Sequence, residues 1–317
     1  MMRPLAKTER DERPIDRVAL SGHERPSLPR RLYFLWERQA WSVGALDFAQ
    51  DQRDWLALEH DRRAVLIRSM APFFASEERV ASLLAPVIIA AEDDQERAFL
   101  ATQQADEARH MQFFERFWRE VFLPEPQAAA GAIHDARVRC NEAFTELFDH
   151  RLAQAMDRLR TDPRDLSAKV EAVSIYHLIV EGMLGMTGLY FVIDFCNRHG
   201  ILPGIAAGLR LVRRDEVRHV AWGTWYLREK CRADERYGQI VQRTVTELLP
   251  VAASVFIEGG LAVCDGLDPC EFLDYSSAQL NYSALSALSR RLKVIGGSTK
   301  EIQSFVASGA WRASRVM

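Results

Sequence analysis

Five residues, Asp106-Glu107-Ala108-Arg109-His110, return with a single change as Asp215-Glu216-Val217-Arg218-His219. The first copy lies in a stretch from Glu92 to Phe122 that has no glycine or proline, the second in one from Gly204 to Cys231 that has no proline. Stretches of this kind read as long helices, on which a Glu and a His three apart share a face. Two such helices carrying the same cluster constrain the chain strongly. It must form a helical fold that brings two Glu/His faces together or leaves both to solvent.

The rest of the chain reads the same way. Asp61 to Ala91 is a helix capped by Asp61 and kinked at Pro72. Asp135 to Arg160 is another, stopped by Thr161-Asp162-Pro163, and Arg164 to His199 ends at Gly200 with Pro203 just beyond. Asp234 to Cys264, kinked at Pro250, and Tyr275 to Ile295 complete the set, and no strand-like alternation competes with them. Helices of about 30 residues are about 45 Å long and pack lengthwise, so the fold class expected is an all-α bundle over 31–300. Residues 1–30, with four prolines and no period, read as an irregular arm, and 301–317 as a C-terminal tail.

Hydrophobic residues at 48% and charged residues at 27% exclude wholesale disorder. With 41 basic against 44 acidic side chains and a net charge of −3, no nucleic-acid partner is expected. Cys140, Cys196, Cys231, Cys264 and Cys270 form no C-x-x-C pair, which argues against a zinc ribbon and suits a reducing cytoplasm. No apolar run resembles a signal peptide near the start. The longer ones are broken, after Leu184 by Asp194 and after Leu248 by Glu258, so no transmembrane segment is expected either.

Carboxylates inside apolar helix surface carry the chemistry. Glu181 stands in Ile175-Tyr176-His177-Leu178-Ile179-Val180-Glu181-Gly182-Met183-Leu184. A lone buried carboxylate costs several kcal/mol or more unless a cation or donor offsets it. Glu77 has Val80 and Leu84 on its own face and reads as buried, with its neighbour Glu78 facing out. Glu77, Glu107 with His110, Glu181, and Glu216 with His219 then come from four helices. One Glu from each of two helices and Glu-x-x-His from each of two others is the ligand set of a dinuclear carboxylate centre, and oxygen with imidazole suits iron or manganese. Asp106 and Asp215 are placed to accept the outer N–H of the opposite helix's histidine. His23, His60, His134, His150, His177 and His199 have no Glu at this spacing and read as structural or surface residues.

These residues resemble the ferritin-like superfamily, within it the small subunit of ribonucleotide reductase, and more narrowly the small-subunit-like ligand-binding oxidases. The resemblance runs from about Arg31 to about Cys264 and is carried by Leu46-Asp47-Phe48-Ala49-Gln50-Asp51-Gln52, Glu77-x-x-Val80, the two repeats, and Tyr176-x-x-x-x-Glu181-Gly182. It implies manganese with Glu77 and His110, iron with Glu181 and His219, and Glu107 and Glu216 completing the set; two irons are the alternative. It also implies a homodimer, reaction with dioxygen, an ether bond between Val80 and Tyr176, and a long-chain fatty acid held by its carboxylate. Phe73, Val80, Met183 and Leu184 are the apolar lining expected for that chain. On the residues alone, Val80 reads as a core valine and Tyr176 as a core tyrosine bonded to a ligand carboxylate. Five residues separate Tyr176 from Glu181, about 140° around a regular helix, so a π-turn is needed for both to face one site.

Two departures separate the chain from a reductase subunit. Phe114 stands where the resemblance implies a radical-bearing tyrosine, and the end from Trp311 to Met317 is basic where such subunits carry an acidic tail. Trp41 keeps the spacing of an electron-relay tryptophan, with Asp215 and His110 as its onward path, although Ser42 replaces the usual proline. An oxidase is therefore the first expectation. A reductase subunit storing an oxidising equivalent is the second, and a metal store or lipid carrier the third.

Overall fold

Asp93 begins the helix that carries the first repeat by accepting the backbone N–H groups of Gln95 and Glu96, both at 2.8 Å. Asp94 and Glu96 in its first turn and Arg116 in its last complement the helix dipole. The computed structural model describes residues 26–123, 132–257 and 271–309. Most of the N-terminal arm, Cys264, Cys270, Glu258, His23 and the last eight residues lie outside them.

Eight helices serve to describe the fold. They are α1 (Leu28–Arg38), α2 (His60–Leu83), α3 (Asp94–Phe117), α4 (Leu166–Val173), α5 (Met186–His199), α6 (Pro203–Ala233), α7 (Glu235–Ile257) and α8 (Ser277–Ile295). A π-helical segment, Ser174–Gly185, joins α4 to α5 without a break. The fold is an all-α, ferritin-like bundle. Fully buried aromatic rings knit it together: Phe74 meets Trp118 at 5.6 Å, Phe99 meets Trp222 at 6.1 Å, and Phe113 meets Phe114 at 5.1 Å.

α6 starts without a cap of its own, at Leu202 in the left-handed region. Asp51 takes over, accepting the N–H groups of Gly204 at 2.8 Å and Ile205 at 2.7 Å, while Asp54 accepts that of Leu202 at 2.8 Å. The backbones approach so closely that a Cβ on Gly204 would lie 2.3 Å from the Asp47 carbonyl oxygen. The Asp47–Asp54 stretch thus anchors the helix that bears the second repeat.

Several boundaries differ from the sequence expectation. α2 begins at His60 after Glu59, so Asp61 sits in the first turn and is not the cap. Pro72 lies within α2 without ending it, and the helix stops at Leu83, with Pro86 opening the short helix Ala85–Ile89. The expected helix from Asp135 breaks at Asn141, whose side chain accepts from the Phe144 N–H at 2.8 Å and starts a new turn. Two strands too short to show a period, Glu271–Phe272 and Tyr275–Ser276, form a hairpin whose turn residues Leu273 and Asp274 have positive φ. Lys300–Ser308 is helical with Ile302 buried, so the C-terminal tail opens as a helix.

Leu166–His199 is long and apolar enough to cross a membrane despite Asp194, but 78% of its apolar window is buried among the other helices. It is the central helix of the bundle. Buried beside its start, Lys169 is neutralised by Glu96 at 2.9 Å and Glu92 at 3.3 Å.

Candidate metal centre

Glu77 comes from α2, Glu107 and His110 from α3, Glu181 from the π-helical segment, and Glu216 and His219 from α6. All six are buried. His110 Nδ1 faces Glu77 at 3.5 Å, Glu107 at 3.6 Å and Glu216 at 3.4 Å. His219 Nδ1 faces Glu107 at 3.3 Å, Glu181 at 3.5 Å and Glu216 at 3.7 Å. These separations are too long for good hydrogen bonds and suit atoms converging on something between them.

The donor set passes a direct test of fit. Glu77 Oε2, His110 Nδ1, Glu181 Oε2, Glu216 Oε2 and His219 Nδ1 are buried without a hydrogen bond. The ligand atoms fall into two groups, Glu77/Glu107/His110/Glu216 and Glu107/Glu181/Glu216/His219, each within 4.8 Å. Glu107 and Glu216 belong to both, as bridging carboxylates would. Burial pushes the Glu77 carboxyl up to about 8 against the pull of His110, and burial with the nearby Glu216 raises Glu181 well above the carboxylate range. Without cations the cluster must hold protons, which divalent metals would displace.

Each imidazole is held from behind by the aspartate of the other repeat. His110 Nε2 lies 3.4 Å from Asp215 Oδ2, and His219 Nε2 lies 3.2 Å from Asp106 Oδ2. Arg218 donates to both aspartates, at 2.8 Å to Asp106 and 2.6 Å to Asp215, and Arg109 donates to Asp106 at 2.7 Å. Trp41 Nε1 donates to Asp215 Oδ2 at 2.6 Å. All five residues of each repeat but the middle one thus have a place at or behind the cluster.

Tyr176 is buried on the same wall and donates to Glu107 Oε1 at 2.7 Å. The π-helical segment makes this possible, since its wider turn brings residues five apart onto one face. Burial and the surrounding carboxylates raise the phenol well above its usual range, so it stays neutral. Tyr176, Val80 and the carboxylates line one cavity together with Ser76, Phe73, Ser69 and Arg68 of α2. Phe144, Phe148, Val180, Leu184 and Leu189 line it opposite. Met183 is buried in the core and not among the lining residues, because the π register turns it away. Glu78 faces outward, paired with Arg79 at 2.7 Å and Arg137 at 2.5 Å.

His60, His134, His150 and His199 are exposed. His177, read as structural or surface, is buried against the site: its Nε2 lies 3.2 Å from Gln103 Oε1, and Gln103 donates to Glu181 Oε1 at 2.9 Å. Gln103 was findable, being one turn before Glu107 on the same face. A Cβ on Gly223 would lie 2.2 Å from that of His177. Gly223→Ala should therefore cost about 1–3 kcal/mol by overpacking, read as a lower denaturation midpoint with unchanged slope.

A profile of the ribonucleotide reductase small chain matches residues 30–258. The chain belongs to this family. Its members are oxidoreductases, and solved structures narrow the likeness further. The chain is 26% identical to an R2-like ligand-binding oxidase, a glutamate-to-aspartate variant with an aerobically reconstituted Mn/Fe cofactor, at a TM-score of 0.75. It is 26% identical to a valine-to-isoleucine variant with an anaerobically reconstituted Mn/Fe cofactor, at 0.73, and 27% identical to a glycine-to-leucine variant with a non-activated Mn/Mn cofactor, at 0.73. Each alignment covers 87% of this chain and 94% of the other. Phe114 is fully buried, stacks on Phe73 at 6.2 Å and has no hydroxyl to oxidise.

Proposed function

We propose that this chain is a dimetal oxidase that activates dioxygen, joins Val80 to Tyr176 by an ether bond, and binds a long-chain fatty acid. The observation that carries the reading is the cavity: its wall includes all four glutamates of the buried Glu/His cluster, and most of the remaining wall is apolar. A manganese and an iron, by likeness to the Mn/Fe relatives, would bind dioxygen, supply two of the four electrons that reduce it to water, and cleave its O–O bond.

The protein's own residues do the rest. Glu77, Glu107 and Glu216 with His110 form one cation site, and Glu107, Glu216 and Glu181 with His219 the other. Asp215 and Asp106 hold the two imidazoles with Nδ1 toward the cations, and Gln103 fixes the Glu181 carboxylate. Apolar side chains keep water from the channel and cover an alkyl chain whose carboxylate meets the metals. Tyr176, held neutral by its surroundings, keeps its phenolic hydrogen beside Glu107, and Val80, with its β-hydrogen, lines the same channel. Losing these two hydrogens while the Cβ–O bond forms provides the other two electrons.

The Trp41–Asp215–His110 chain suits a second reading, a reductase subunit that hands an oxidising equivalent to a large catalytic partner. Phe114 weighs against it. Reduced, metal-loaded protein that consumes no dioxygen would overturn the oxidase reading, and capture of a large catalytic subunit would favour the second. The bound lipid is checked separately. Protein purified without added lipid, extracted with organic solvent and analysed by mass spectrometry, should release a long-chain fatty acid in amounts comparable to the chain. An extract free of amphiphiles removes the ligand from the proposal.

A further inference from the structure

The two aspartates that hold the imidazoles each accept one indole N–H. Trp41 donates to Asp215, as above, and Trp36 donates to Asp106 Oδ1 at 2.8 Å. The two tryptophans lie five residues apart, one in α1 and one just after it, and both are partly exposed. Each chain therefore runs from a partly exposed tryptophan through a carboxylate to a different imidazole: Trp41–Asp215–His110 and Trp36–Asp106–His219. Tyr33, one turn back along α1, places its ring 6.2 Å from that of Trp36.

We propose that Trp36–Asp106–His219 is an electron conduit to the His219 half of the centre, alongside Trp41–Asp215–His110 to the other half. The inference rests on the dimetal reading above. Indole is one of the more easily oxidised side chains, and its ring is positively charged once an electron has left. A carboxylate already bonded to its N–H stabilises the positive charge the ring carries until it is reduced again. Arg109 and Arg218 hold both aspartates in place from the other side. The electron passes from the indole to the oxidised centre, and a one-electron reductant outside, of the reduced flavin or iron–sulfur protein class, refills the indole. Simple packing would satisfy an indole N–H with any nearby acceptor. Here both indoles choose the one carboxylate that also holds a metal-site imidazole.

The test uses Trp36→Phe, Trp41→Phe and the double variant, each loaded with manganese and iron and oxidised. Anaerobic reduction by hexaammineruthenium(II), a hydrophilic complex unsuited to the apolar channel, is followed by the loss of visible absorption. Manganese(II) affinity of the metal-free protein is measured alongside. Each single variant should be reduced about tenfold more slowly with the manganese(II) affinity held, the double variant should be slower than either, and Trp36→Tyr should restore part of the rate. Wild-type reduction rates in Trp36→Phe, or a slowing matched by an equal loss of manganese(II) affinity, would overturn the conduit and leave the oxidase reading standing. A wild-type protein that binds no metal would instead overturn the reading on which the conduit rests.

Discussion

Protein expressed without metal, loaded anaerobically with manganese and iron and then exposed to dioxygen should yield one peptide pair joined through Val80 and Tyr176. The pair should be lighter than the two free peptides together by the two hydrogen atoms lost from the valine Cβ and the phenol. An unactivated aliphatic C–H bond yields only to a strong oxidant, so the product reports dioxygen-cleaving chemistry in a way that metal or lipid binding does not. The geometry is favourable. Tyr176 is pinned by its hydrogen bond to Glu107, and Val80 stands one turn beyond Glu77 on another helix, both lining the same cavity. The joined pair should be absent before oxygen exposure and absent in Tyr176→Phe. Fully loaded, oxygen-exposed protein that gives only the two separate peptides would remove the crosslink and move the reductase-subunit reading ahead.

The second large effect concerns the ligands themselves. Glu107→Ala should lose both metals and Glu181→Ala at least one, by elemental analysis after gel filtration. Two fully occupied metals per chain in both variants would sink the assignment. Stability should respond with opposite signs in the two states. Metal at about 100 times its dissociation constant stabilises the folded protein by ~2.7 kcal/mol through mass action, and a variant that cannot bind forgoes this. Without metal, four glutamates crowd one buried pocket, and Glu181→Gln removes a carboxyl that burial and Glu216 already disfavour as an anion. The melting temperature of metal-free Glu181→Gln should therefore equal or exceed that of the metal-free wild type, while the order reverses once metal is added. A variant less stable than wild type in both states would mark Glu181 as a structural residue.

Much of the cluster was legible in the sequence, and the reason is periodicity. A Glu and a His three apart on a helix share a face whatever that helix packs against, so the repeats announced both Glu/His pairs. A carboxylate in an apolar run, as at Glu181, signals a buried partner before any fold is known. Even the π-helical segment was foreshadowed, because a five-residue offset cannot bring Tyr176 and Glu181 to one site on a regular helix. The helix breaks at Leu84 and Asn141 and the two-residue strands had no such signature. They depend on single residues, Pro86, Asn141 and Asp274, whose effect on a boundary is local and not periodic.

The sequence by itself determined the helical class, the four-helix origin of the cluster and the chemical type of each donor, since all three follow from local spacing and side-chain chemistry. It also placed Asp106 and Asp215 behind the opposite helix's histidines, but only the tertiary structure decided which further residues stand there. Trp36 meets Asp106 across 70 residues, His177 meets Gln103 across 74, and Arg218 reaches Gln39 across 179. Nothing in the spacing of such pairs along the chain sets their distance in space. That distance is fixed by which helices pack side by side and in which direction they run. α3 and α6 set their repeats face to face, so each aspartate holds the imidazole of the other repeat and not its own.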